Sequence, residues 1–307
     1  MIPRRFFPAL LIASLVVTPS ISRAANATAA QQRTQSFSVE IEGSGQDVIL
    51  IPGLASPRSV WDGLAERLKA HYRLHLVQIA GFAGEPAQKN AHDKVMQPVA
   101  SALSRYIETA HLNKPILIGH SIGGELALMV ASDTPERVGA VIVVDALPFY
   151  PLVFNPSATR ETVQPQAEAF RRSLLQEQPE NQRRMSQEQA IARMVRTESA
   201  RPGLVEAGLR SDMKTVANAL YDDMTTDLRP ALPKITAPVT VIYAYDPVYG
   251  VPAATIDALY RTSYAATPHV RFQRIDDSYH FIMIDQPEKF DSAVETALKP
   301  RPPESRP

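Results

Sequence analysis

An α/β fold, with a mostly parallel central sheet flanked by helices and a helical cap inserted after the sixth strand, is predicted by three observations. Short apolar runs alternate with stretches of helical periodicity from Gln46 to Leu147 and again from Pro238 to Leu298, the pattern of a parallel sheet with right-handed crossovers. Between these blocks, Pro148 to Arg229 holds no convincing strand and is rich in Gln, Arg and Glu. The third observation is an apolar run that breaks at glycines around a serine and resumes as a helix, Pro115-Ile116-Leu117-Ile118-Gly119-His120-Ser121-Ile122-Gly123-Gly124. A chain of 307 residues, 45% of them hydrophobic, is long enough for one such domain with an insertion.

The chain begins with two arginines, Arg4 and Arg5, then an apolar run from Phe6 to Val17, small polar residues and Ala24-Ala25-Asn26-Ala27. This reads as a secretory signal peptide over residues 1–27, cleaved after Ala27, with Ala24 and Ala25 as alternative positions. The apolar run falls short of the roughly 20 residues that span a bilayer, so no stable membrane anchor is expected after cleavage, and the mature chain is expected to be periplasmic or secreted. Cysteine is absent, which rules out a lipid-anchored cysteine, a disulfide framework and a thiolate nucleophile. Lys plus Arg equals Asp plus Glu at 32 each, so no net charge draws nucleic acid or an anionic membrane, and a small neutral substrate is expected.

Taken in order, Ser36 to Glu42 alternates polar and apolar residues as an edge strand does, and Gly43-Ser44-Gly45 turns it into the buried strand Val48 to Ile51. That strand runs into Pro52-Gly53-Leu54. Ser59 to Ala70 spaces Val60, Trp61, Leu64, Ala65 and Leu68 as a helix, with Trp61 packed on the core. Tyr72 to Ile79 is a strand followed by the loop Gly81-Phe82-Ala83-Gly84, and Asn90 to Leu112 is a helix that Pro98 either kinks or delays. Beyond the serine stretch, Val138 to Val144 is a buried strand ending at Asp145. Helices are predicted near Glu161 to Gln176, Ser186 to Glu198 and Ser211 to Leu228, the last carrying Met213, Val216, Leu220 and Met224 along one face. The strand Val239 to Ala244, the helix Ala253 to Tyr264, the strand Val270 to Ile275 and the helix Pro287 to Leu298 complete the fold. Residues 28–147 and 230–299 thus form the core, 148–229 the cap and 300–307 a loose tail.

Gly119-His120-Ser121-Ile122-Gly123 fits G-x-S-x-G, a turn so tight that only glycine fits where strand and helix meet two residues either side of the serine. The turn sets Ser121 at a helix N-terminus, where the free N–H of Ile122 faces any anion forming beside it. A serine hydroxyl is a poor nucleophile unless a base takes its proton and an acid orients that base. Of seven histidines, His280 is the candidate base, in a loop after the last strand. Asp246, which ends the strand Val239 to Ala244 and is followed by Pro247, is the candidate acid.

With these motifs the chain resembles the α/β-hydrolase-fold superfamily, as a serine esterase or lipase-like member with a helical cap. The resemblance implies the chain order Ser121, Asp246, His280, with Asp145 as the runner-up for the acid because some members place it on the preceding strand. It implies that the N–H of Leu54 completes the oxyanion hole, although Pro52 stands where the family usually has histidine. Phe82, Leu220 and Met224 become candidate pocket walls, and Asp222 and Asp223, with Glu161 and Glu168, cap carboxyls able to hold a substrate amine or simply solvated. The expected activity is a secreted serine hydrolase cleaving a small or medium carboxylic ester, with no metal and no organic cofactor. An amidase or aminopeptidase, a lactonase or a perhydrolase would use the same triad, and a non-catalytic ligand-binding relative is the alternative from another class. An Asp nucleophile, as in dehalogenases and epoxide hydrolases, is excluded by Ser121.

Overall fold

The computed structural model describes residues 30–92 and 94–299, so the leader over 1–27 and the tail over 300–307 lie outside the described residues. Eight strands form one sheet: β1 (Ala30–Arg33), β2 (Phe37–Gly43), β3 (Gln46–Ile51), β4 (Tyr72–Ile79), β5 (Ile116–His120), β6 (Ala140–Val144), β7 (Val239–Tyr245) and β8 (Val270–Asp276). Their order is β1-β2-β4-β3-β5-β6-β7-β8, antiparallel at β1-β2 and β2-β4 and parallel from β4 to β8. Ten α-helices among the described residues accompany it: α1 (Asp62–Leu68), α2 (Met96–Thr109), α3 (Ile122–Asp133), α4 (Arg160–Leu174), α5 (Glu180–Met194), α6 (Arg201–Arg210), α7 (Met213–Thr225), α8 (Ala253–Ser263), α9 (Ile282–Asp285) and α10 (Pro287–Leu298).

The period of two along each strand divides the core. Ile49, Ile51, Leu117, Val141 and Val143 join α2 and α3 on one face, while Val48, Leu50, Ile116, Ile118 and Ile142 join α1 and α10 on the other. Burial on both faces is why these strands read as unbroken apolar runs. Trp61 is fully buried in the layer of α1 and α10 and stacks on Phe290 of α10 at 6.3 Å between ring centroids.

Three expectations shift. The strand over residues 36–42 is not an edge, because β1 pairs with it. The helix expected from Asn90 begins at Met96, so Pro98 falls in its first turn, where its missing N–H costs nothing. The start is fixed from outside the helix: Asp222 Oδ2 accepts the N–H groups of Val95 and Met96 at 2.7 and 3.1 Å. The helix expected over Ser59 to Ala70 is shorter, a 3-10 turn over Arg58–Trp61 leading into α1.

Between β6 and β7 the chain is helical, with α4 packed on α7 and α5 on α6. Helix α6 was not expected as a separate element. The α7 end is tied down by Asp212 N–H to the Gly81 carbonyl at 2.8 Å and by Asn218 Nδ2 to the His92 carbonyl at 2.8 Å. On the opposite side, Asp285 accepts the N–H groups of Arg196 and Thr197 at 2.9 to 3.1 Å. Asp285 therefore ties the insertion to the core. Two anchors on opposite flanks hold the insertion over the carboxyl ends of β3, β5 and β6, where open α/β sheets bind ligands.

Candidate active site

Ser121 sits between β5 and α3 with φ 53° and ψ −129°, a backbone state that a non-glycine residue enters only where its surroundings enforce it. Its N–H donates to the Val144 carbonyl at 2.9 Å, and its carbonyl accepts from Gly124 N–H at 2.7 Å. A Cβ on Gly119 would strike the Gly123 carbonyl, and a Cβ on Gly123 would strike the Ile51 carbonyl of β3, so both glycines are required by close approach. The N–H of Ile122 is the first of α3 and has no intrahelical partner. Ile122 and Leu54 line the same cavity as Ser121, Leu54 from the loop after β3.

His280 follows β8 in a loop fixed at three points. Tyr279 N–H donates to Asp285 Oδ2 at 2.9 Å, Phe281 N–H to the Met194 carbonyl at 3.2 Å, and His120 Nε2 to the His280 carbonyl at 3.0 Å. His120 thus supports the loop rather than the serine. Burial, then the neighbouring His280, holds the His120 imidazole well below its usual pKa, so it stays neutral, with Nε2–H donating and Nδ1 without a partner.

The acid facing His280 is Asp145. Asp145 Oδ2 lies 2.7 Å from His280 Nδ1, while its Oδ1 accepts the Ala244 N–H and the Tyr260 hydroxyl, both at 2.9 Å. The carboxylate makes Nδ1 the protonated nitrogen and leaves the lone pair of Nε2 for a proton from elsewhere. Asp246, the expected acid, does not reach His280. Its Oδ1 caps Val248 N–H at 2.9 Å in the turn over residues 247–249, and its Oδ2 lies 3.8 Å from Arg196 Nε. The physical reason is local: Asp145 stands at φ 48°, a left-handed turn that aspartate tolerates, while the extended backbone of Asp246 starts a turn and commits its carboxylate to capping it. Asp276 and Asp277 pair with Arg274 and Lys289 instead.

Ser121, His280 and Asp145 line one cavity of about 660 Å³. Its walls are largely apolar, with Leu147 and Leu259 from the core and Val216 and Leu220 from α7. Leu220 lines the cavity, whereas Met224 and Phe82 do not: both are buried, Phe82 within the core layer of α2 and α3.

Two carboxyls meet in this cavity. Glu125 of α3, which sequence reasoning missed, is 1% exposed, and Asp223 of α7, one of the four cap carboxyls singled out, faces it. Burial pushes the Asp223 carboxyl up to about 7, and burial together with Asp223 pushes Glu125 well above its ordinary value. Both are thereby pushed toward the protonated, neutral form. The signal for Glu125 lay in its being the one charge in the first three turns of a helix otherwise apolar all round, which must be buried. Of the other cap carboxyls, Asp222 caps α2, Glu168 pairs with Arg171 at 3.1 Å, and Glu161 lies outside the cavity. Among the described residues, no group of three or more His, Asp or Glu side chains is placed to hold a metal ion, and no helix is long and apolar enough to cross a membrane.

A pimeloyl-acyl-carrier-protein methyl ester esterase of Aeromonas salmonicida is 36% identical over 115 residues, 38% of this chain, and the chain spans only 43% of that relative's length. One of the same name from Yersinia enterocolitica is 27% identical over 81% of this chain and 91% of its own. A hydrolase from Pseudomonas aeruginosa superposes with a TM-score of 0.72 at 17% identity, covering 90% of this chain and all of its own, and a thermophilic esterase from Thermogutta terrifontis with 0.68 at 21%, covering 88% and 98%. These structural likenesses establish the fold. Residues 48–293 match the alpha/beta hydrolase family, and the chain belongs to it.

Proposed function

We propose that this protein is an exported serine hydrolase that cleaves a small or medium carboxylic ester through an acyl-enzyme. The observation that carries the reading is the bond from His280 Nδ1 to Asp145 at 2.7 Å, in a cavity shared with a serine held in a strained turn. His280 Nε2 takes the Ser121 Oγ proton as the oxygen attacks the ester carbonyl. The negative charge that gathers on the carbonyl oxygen is met by the N–H groups of Leu54 and Ile122, each such donor being worth roughly 10²–10³ in kcat. His280 then returns the proton to the departing alkoxide, and the acyl group stays on Ser121. Water, deprotonated by His280, then releases the acid. Asp145 remains ionised throughout and stabilises the imidazolium.

The mainly apolar walls favour a hydrocarbon acyl or alcohol chain. Relatives named as methyl ester esterases support ester cleavage over amide cleavage. Export is supported by the basic, apolar and small-residue order of residues 1–27, which favours the periplasm or the outside of the cell for the mature enzyme. The test is covalent labelling by a fluorophosphonate together with hydrolysis of 4-nitrophenyl esters. Both should vanish in a folded Ser121→Ala variant, and labelling that persists there would place the nucleophile elsewhere.

A further inference from the structure

Glu125 and Asp223 take no part in the acyl transfer just described, yet they sit in its cavity. Glu125 lies one helical turn past Ser121 on α3, its N–H donating to the Ser121 carbonyl at 3.3 Å. Glu125 Oε2 is buried and has no hydrogen-bond partner. The groups around the pair are Tyr150, Asp222, Asp227, Tyr264 and His280, and apart from His280 all are neutral or acidic. Arg193 of α5 lines the same cavity but makes no ion pair with either carboxyl. A buried carboxyl beside a half-buried one, with no cation between them, is costly, and burial pushes both toward the protonated form. What the pair lacks is a positive charge, and the cavity admits one.

We propose that Glu125 and Asp223 form a cation-recognising subsite, so that the ester cleaved at Ser121 carries a protonated amine that lies in the same cavity as the scissile carbonyl. The inference rests on the serine-hydrolase reading above and narrows its substrate class to amino esters. The ammonium N–H groups donate to the Glu125 and Asp223 carboxyls that line the cavity, and a proton held on either passes to bulk water as it ionises. The apolar walls then hold the hydrocarbon that joins amine to carbonyl. Charge-assisted hydrogen bonds of this kind correspond to about ten- to hundred-fold in affinity.

The experiment uses boronic acids, which form a tetrahedral adduct with an active serine, as inhibitors of 4-nitrophenyl ester hydrolysis by the full chain. Three matched series are compared over one to three methylenes: alkyl, ω-hydroxyalkyl and ω-aminoalkyl boronic acids. At the best length, the amino compound is expected to inhibit about ten- to hundred-fold more tightly than either neutral partner. Glu125→Gln and Asp223→Asn should each bring that ratio close to one. Should either variant fail to fold, the wild-type ratio and the other variant still decide. Alkyl boronic acids that inhibit, with no gain from the amine at any length, would overturn the subsite and leave the serine-hydrolase reading standing. An ω-hydroxyl as good as the amine would overturn it too, showing recognition of a neutral oxygen. A ratio that survives in both variants would place the cation elsewhere, whereas no inhibition by any of the three series would remove the serine-hydrolase reading itself.

Discussion

Replacing Asp145 by asparagine tests the acid at the level of single atoms. Asp145 Oδ1 already accepts two donors, Ala244 N–H and the Tyr260 hydroxyl, each at 2.9 Å. Asparagine must keep its carbonyl oxygen there to satisfy both, which turns its NH₂ toward His280 Nδ1, 2.7 Å from where the carboxylate oxygen stood. A donor facing Nδ1 selects the tautomer with hydrogen on Nε2, and that nitrogen can no longer accept the Ser121 proton. In the serine-protease template the equivalent change costs roughly 10⁴ in kcat, about 5 kcal/mol of barrier. We expect Asp145→Asn to lose about that much kcat on a 4-nitrophenyl ester while its thermal melt stays near that of the wild type. Asp246→Asn keeps an oxygen for the Val248 N–H and loses only an ion pair at 3.8 Å to a half-exposed Arg196. A contact of that kind is worth about 1 kcal/mol or less, so its kcat should change by less than about tenfold. Steady-state kinetics on both variants settles the ranking, and a larger loss for Asp246→Asn would refute the assignment of Asp145 as the acid.

The cavity walls and the elbow give two further expectations. Leu220→Ala should shift the preferred acyl or alcohol chain toward longer esters, because Leu220 lines the cavity, whereas Met224→Ala should lower stability by about 2–5 kcal/mol with the preference unchanged; a chain-length series of nitrophenyl esters and a urea titration separate the two. Gly119→Ala should destabilise by more than about 3 kcal/mol or abolish folding, since its Cβ meets the Gly123 backbone, while Gly203→Ala in α6, with nothing within 4 Å of its Cβ, should be neutral or stabilising by up to about 1 kcal/mol in the same titration.

The parallel strands were legible because each is buried on both faces, and a run such as Val48 to Ile51 leaves no other reading that fits its length. β1 was not, because Ala30-Gln31-Gln32-Arg33 carries no apolar signal and pairs with β2 in register only. α6 lies in the interval between the predicted helices, and it carries Pro202 and Gly203 in its first turn, where proline is at home and this glycine faces open space. The start of α2 depended on Asp222, a residue more than a hundred positions away in the chain, so local periodicity placed it several residues too early.

The same division runs through the site. Ser121 and His280 are marked by their own neighbours, the serine by two glycines that backbone contact demands and the histidine by its place just past the last strand. The acid is marked by nothing local. Asp145 and Asp246 end adjacent parallel strands, each after an apolar run, and Pro247 lent Asp246 the character of a loop built for a purpose. Proline at that position serves a 3-10 turn, and the turn takes the Asp246 carboxylate as its cap. What frees Asp145 for His280 is a left-handed φ of 48°, together with a backbone N–H from β7 and a hydroxyl from α8 that hold one oxygen and leave the other. Those partners lie 99 and 115 residues further along the chain, so only the assembled sheet brings them to bear. Glu125 reverses the case: its burial followed from the helix it sits in, but its partner Asp223 belongs to the insertion, and their meeting depends on how α7 is moored to the Gly81 loop and to His92.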